Sequence, residues 1–163
     1  MSPYAKPQSS YDPAAIAADL HAALAEGLAL FAGIDEALSR ERPSAGGWCA
    51  REVVGHLIDS ACNNHRRFIL GQTPGLARFD GYDGDAWVAR QQYVDESWEA
   101  IVGLWVAYNR HLRHVIARTP AAHLTMSATS PDGDETVSVG FLMQDYVAHL
   151  RHHFEQVRRI TGV

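Results

Sequence analysis

The chain has very little cysteine. Cys49 and Cys62 are the two in 163 residues, too few for the disulfide framework of a small secreted domain and in keeping with a reducing cytosol. It also lacks surplus positive charge, since 14 Lys and Arg face 19 Asp and Glu for a formal net charge of -5. Binding a duplex requires cations to neutralise phosphates, so a nucleic-acid partner is not expected. The one basic cluster, Arg151 to Arg159, is interleaved with His, Phe and Glu and reads as the outer face of a helix. Long apolar runs are missing as well. The longest, Ala100 to Tyr108, is interrupted by Gly103 and falls well short of the ~18 residues that span a bilayer. The opening segment MSPYAKPQSS has no signal-peptide core. These absences lead to the expectation of a soluble, cytoplasmic protein with no membrane partner. There is no internal repeat and no low-complexity segment.

What the sequence does contain is apolar residues, helical periodicity and histidine. With 47% hydrophobic and 20% charged residues, the chain is able to bury a substantial core. A rule of ~150 residues per domain makes residues 1–163 one domain, with 1–10 a flexible N-terminal segment. The first helix opens at the Asp12-Pro13 cap and carries the stripe Ile16, Leu20, Leu24, Phe31, Ile34, Leu38, ending near Arg40 before Pro43. A second runs from about Ala50 to Leu70 on a ridge of Val53, Leu57, Ala61 and Phe68, stopped by Gly71, Pro74 and Gly75. Residues 71–94 read as a long crossover with a helical turn near Asp85 to Gln91. The third helix spans about Asp95 to Arg118. Pro131-Asp132-Gly133 then marks a turn, with room for a short hairpin, and the fourth helix starts near Thr136 or Ser138 and reaches Ile160. Four such helices predict an all-α four-helix bundle.

Two helices carry polar residues where a solvated face would normally carry Lys, Glu and Gln. On the fourth, His149 and His153 lie one turn apart on the same side as Leu142, Tyr146, Leu150 and Val157. An i, i+4 pair of imidazoles aims two nitrogens at one point, as a metal ion requires, although two core histidines would produce the same pattern. His152 lies about 100° around the helix from His153 and is expected on the flank. On the second helix, Glu52, His56, Asp59, Asn63 and Arg66 form a polar seam at steps of four and three. His21, His65, His111, His114 and His123 read as surface or capping residues.

The segment Trp48-Cys-Ala-Arg-Glu-Val-Val-Gly-His56-Leu-Ile-Asp-Ser resembles the second-helix signature of the DinB/YfiT-like superfamily of metal-dependent enzymes. Asp145-Tyr-Val-Ala-His149-Leu-Arg-His-His153-Phe-Glu-Gln-Val resembles its fourth-helix signature. The resemblance covers essentially the whole chain. It implies an up-down-down-up bundle with a long second crossover, and frequent homodimers. It also implies one divalent metal ion, zinc or nickel, held by His56, His149 and His153. Cys49 departs from the Ser or Thr usual at that helix start. A thiol there can be activated, but a structural role is the expectation.

Three histidines with an open position describe a catalytic site, because structural zinc is normally closed by four protein ligands. Such an ion polarises a carbonyl, lowers the pKa of bound water to about 7, or holds a thiol as thiolate. The resemblance therefore implies either a metal-dependent hydrolase or a thiol S-transferase acting on a small molecule, in the latter case with a low-molecular-weight thiol. The alternative is a non-catalytic metal- or ligand-binding stress-response bundle. Asp59 and Asn63, one and two turns beyond His56, are candidates for orienting a ligand histidine or touching substrate, as is Asp145 one turn before His149.

Overall fold

The computed structural model describes residues 8–73, 79, 81–129 and 136–163. Along the chain run α1 (Pro13–Phe31), α2 (Ala50–Leu70), α3 (Gly84–Gln91), α4 (Trp98–Arg118), α5 (Ala121–Leu124), β1 (Ser127–Thr129), β2 (Thr136–Ser138) and α6 (Val139–Thr161). The four long helices, α1, α2, α4 and α6, make the bundle.

Each long helix starts where a side chain caps its free N–H groups. Asp12 accepts from Ala14 N at 2.9 Å, Ser97 from Ala100 N at 3.2 Å and Ser138 from Phe141 N at 3.1 Å. At α2 the cap works in reverse, with the Glu52 carboxylate accepting from Cys49 N at 2.9 Å. The Cys49 thiol is buried and its pKa is raised by that burial, which is the opposite of activation.

Three sequence expectations need correction. The first helix ends at Phe31 rather than Arg40, because Gly33 weakens it and the Asp35 carboxylate caps a separate 3₁₀ turn at Leu38–Arg40 by accepting from Leu38 N at 2.8 Å. The third long helix begins at Trp98, behind the Ser97 cap, while residues 93–95 form another 3₁₀ turn. Thr136 to Ser138 belong to a two-stranded antiparallel ribbon, Ser127 opposite Ser138, and not to the last helix. The turn at Pro131-Asp132-Gly133 and the stops at Pro74 and Gly75 lie outside the described residues. On length and composition alone α1 would suffice to cross a bilayer, although Asp19, His21 and Glu26 break its apolar runs. Here its Leu20, Ala23, Leu24 and Phe31 are buried against the other helices.

Named contacts give the directions. Phe31 meets Trp98 and Trp105 (ring centroids 5.6 and 5.1 Å), so α1 and α4 are antiparallel. Phe31 meets Phe154, and Tyr11 meets Gly140, so α1 and α6 are parallel. Phe68 meets Tyr146, and Gly71 meets Val139, so α2 and α6 are antiparallel. Gly55 meets Tyr93, and His65 meets Tyr108 and His111, so α2 and α4 are parallel. This is the up-down-down-up order, with α1 diagonal to α2 and α4 diagonal to α6.

Parallel neighbours in sequence need a return segment, and Arg51 anchors it. Its side chain is fully buried. The guanidinium donates to Ser39 Oγ at 2.7 Å and to the carbonyls of Glu36 and Glu96, and it pairs with the Glu36 carboxylate at 2.8 Å. That carboxylate also accepts from Trp98 N at 2.9 Å, and its hydrogen bond with Arg51 chiefly holds its pKa down at about 2. One side chain thus ties α2 to the α1–α2 connection and to the start of α4. Arg51→Ala would leave the buried Ser39 hydroxyl and the part-buried carbonyls of Glu36 and Glu96 without their donor and should cost about 3 kcal/mol. Removing the exposed Arg158 partner of Glu155 should cost under about 1 kcal/mol. Urea midpoints of the two variants measure the contrast.

Candidate metal centre

Antiparallel packing of α2 on α6 brings His56 to His149 and His153. Their rings lie 5.4 Å (His56 to His149), 4.8 Å (His56 to His153) and 4.5 Å (His149 to His153) apart, centroid to centroid. One ring nitrogen from each lies within 4.8 Å of the others, and no other set of three metal-ligating residues converges this way among the described residues. Tetrahedral coordination at ~2.1 Å would place such nitrogens about 3.4 Å apart, a closure that side-chain rotation supplies. His152, one residue from His153, is exposed on the flank.

The surroundings are partly aromatic and dry. Trp48, just before α2, sits 5.0 Å from the His56 ring, and Tyr82 stacks on that ring at 6.4 Å and 25°. Gly84, the first residue of α3, is so close that an added Cβ would stand 3.3 Å from His56 Nδ1. Trp87 backs Tyr82 at 5.0 Å. The long crossover therefore forms one wall of the centre. Beside it a cleft of about 250 Å³ opens between Pro43, Trp48, Gln156 and Arg159.

Burial sets the protonation state. It pushes the pKa of His56 and His153 down to about 4, and that of His149 to about 2, with His153 and His56 as further causes at His149. All three are neutral near pH 7, the form that ligates. Two observations support the fit of a cation. His56 Nδ1 is buried with no hydrogen-bond partner among the described residues. His153 Nδ1 is engaged by Gln156 Oε1 at 2.7 Å, which leaves Nε2 as its donor atom and fixes the ring.

Asp59 and Asn63 are engaged by the crossover and by α2 itself. The buried Asp59 carboxylate accepts from Gln91 Nε2 at 2.6 Å and Tyr93 Oη at 2.7 Å, and Asn63 donates to Asp59 O at 2.9 Å. None of these bonds reaches the three histidines. Asp59 ties the end of α3 to α2. Gln156, Trp48 and Tyr82 do touch the histidines. Gln156 was within reach of sequence reasoning as the i+3 neighbour of His153, whereas Tyr82 arrives through the crossover and had no periodic signal.

Fold and site together define a class: a helical bundle with an asymmetric topology and a three-histidine centre between two antiparallel helices. A family model of the DinB superfamily matches residues 19–157, and the chain belongs to that superfamily. YfiT of Bacillus subtilis (strain 168), named as an inferred metal-dependent hydrolase, is 28% identical over 123 residues, which cover 71% of this chain and 65% of that protein. A protein of Bacillus mycoides (strain KBAB4) with the same kind of name is 29% identical over 113 residues, covering 66% and 61%. The chain thus spans less than two thirds of the length of either relative. The solved structure of YfiT, described as a probable metal-dependent hydrolase with an unusual four-helix bundle topology, superposes with a TM-score of 0.79. It does so at 20% identity over 97% of this chain and 92% of that one, which establishes the shared fold.

The depressed histidine pKa values predict an acid response in metal-free protein. An unfolded histidine protonates near ~6.5, the folded ones only at about 4 or below. The unfolded state therefore binds more protons between those values, and stability falls as pH drops from 6.5. Each histidine contributes up to about 1.4 kcal/mol per pH unit. Chelated protein should lose stability between pH 6.5 and 4.5, above the range where Glu36 titrates, and His149→Gln should flatten that slope. Urea midpoints across the range measure both.

Proposed function

We propose that the chain is a metal-dependent hydrolase acting on a small molecule, with His56, His149 and His153 holding one divalent ion. The observation that carries this reading is the convergence of three neutral imidazoles, one ring nitrogen from each within 4.8 Å of the others. Three imidazoles suit a borderline ion such as zinc or nickel. When bound, the ion supplies Lewis acidity toward a carbonyl or phosphoryl oxygen and toward water.

The chain's own residues do the rest. Gln156 holds the His153 ring in one orientation. Trp48 and Tyr82 exclude bulk water from His56. The cleft bounded by Trp48, Gln156 and Arg159 is the approach for substrate, and Arg159 favours an acidic group on it. Asp59 is a positioning residue, keeping the crossover closed over α2. Thiol transfer uses the same three ligands and is separated from hydrolysis by the choice of substrate. We also propose a homodimer, for which exposed Leu104 and Ile69 offer apolar surface.

Purified protein should carry about one divalent ion by plasma mass spectrometry. His56→Ala, His149→Ala and His153→Ala should each abolish tight binding, and His152→Ala should retain it. Gln156→Ala should weaken affinity about 10- to 100-fold. A screen with carboxylic esters, amides and thiol-plus-electrophile pairs, before and after chelation, tests the chemistry. Turnover of an ester or amide that vanishes with the ion and returns on its addition supports hydrolysis, whereas turnover confined to the thiol pairs would replace it with S-transfer. A metal-free protein that takes up no ion would overturn the reading.

A further inference from the structure

The parallel packing of α2 beside α4 assembles a second group of metal-ligating side chains that the four-helix pattern does not reveal. His65 of α2 and His111 of α4 meet edge to face, ring centroids 5.1 Å apart at 78°. Tyr108, one turn before His111, places its hydroxyl 3.4 Å from His65 Nδ1. Cys62, one turn before His65 and exposed, forms no disulfide. Its thiol lies close enough to the same hydroxyl to help raise the Tyr108 pKa to about 12, after burial as the larger cause. Three residues apart, Cys62 and His65 share one face of α2, with His111 facing His65 from the neighbouring helix. His65 is partly buried and held toward the neutral, ligating form by burial and by His111.

We propose that Cys62, His65 and His111 form a second divalent-cation site, a Cys-His₂ set for a borderline ion such as Zn²⁺ or Co²⁺, on the seam between α2 and α4. One thiolate and two imidazoles match the ligand preferences of such ions. The site is separate from the three-histidine centre. His65 follows His56 by nine residues, which is about 13 Å along the helix and about half a turn around it, so one histidine faces α6 and the other α4. Its three donors do not converge as those of His56, His149 and His153 do, so closing the site requires the exposed Cys62 and His111 side chains to rotate. An ion there would clip two parallel helices that no short loop joins.

Cobalt distinguishes the two sites, because the first has no sulfur donor and the second has one. Full-length protein reduced with a phosphine and titrated with Co²⁺ under equilibrium dialysis should bind two ions per chain, with a sulfur-to-cobalt charge-transfer band accompanying one of them. Cys62→Ser should remove that band and weaken the second ion at least tenfold. His65→Ala with His111→Ala should lower the stoichiometry to one and also remove the band. His149→Ala should remove the other ion and leave the band intact. Wild-type protein that shows no charge-transfer band at saturation overturns the proposal. So does a band that persists in Cys62→Ser. Failure of the first centre would appear separately, as a band without the second ion.

Discussion

A guanidinium with no water around it is the constraint on which this bundle turns. Arg51 cannot lose its charge, so burying it obliges the chain to surround it with acceptors. Those acceptors are the backbone carbonyls of Glu36 and Glu96, the Ser39 hydroxyl and the Glu36 carboxylate. They come from the α1–α2 connection and from the end of the crossover just before α4. Five residues further along the same helix stands His56. The register of the metal centre against the crossover is thus set at the first turn of α2, before any histidine is reached.

The centre then illustrates how burial and metal binding share one requirement. Histidines removed from water prefer to be neutral, and neutral imidazoles are what a cation takes as ligands. The dry walls of Trp48 and Tyr82 prepare the donors, and Gln156 fixes one of them. Asp59 does comparable work at a distance. Through Tyr93 and Gln91 it fastens the segment that brings Tyr82 and Gly84 over His56.

Much of this was legible in the sequence, for identifiable reasons. Helix positions followed from apolar stripes and, at Asp12, from a cap: α1 opens at the Asp12-Pro13 signal, and α2 runs over the residues its ridge marks, whereas the Ser97 cap that starts α4 was not singled out. The His149/His153 pair was visible because i, i+4 spacing is geometric. What stayed hidden depends on partners distant in the chain. The early end of α1 comes from Asp35 capping a separate turn. The role of Asp59 depends on residues some thirty positions away. The meeting of His65 with His111 needs the parallel α2–α4 packing, which no local pattern encodes. Read singly, each looked like an ordinary surface histidine.

The direction of α4 relative to α2 has a further consequence. Two parallel helices of about twenty residues require the chain to travel back some 30 Å between them. About ten residues of extended backbone would cover that distance, and residues 71–97 are more than twice as many. The surplus is slack that the topology makes available without disturbing the helices, and it is from this slack that α3, Tyr82 and Trp87 are drawn. A bundle with the same four helices in simple alternation would join α2 to α4 by a tight turn at one end, and the ligands would stand uncovered. In this architecture the covering over the histidines can be lengthened, trimmed or re-sequenced while the two helices that carry them stay fixed, so the shape of the cover and the identity of the floor are separately adjustable.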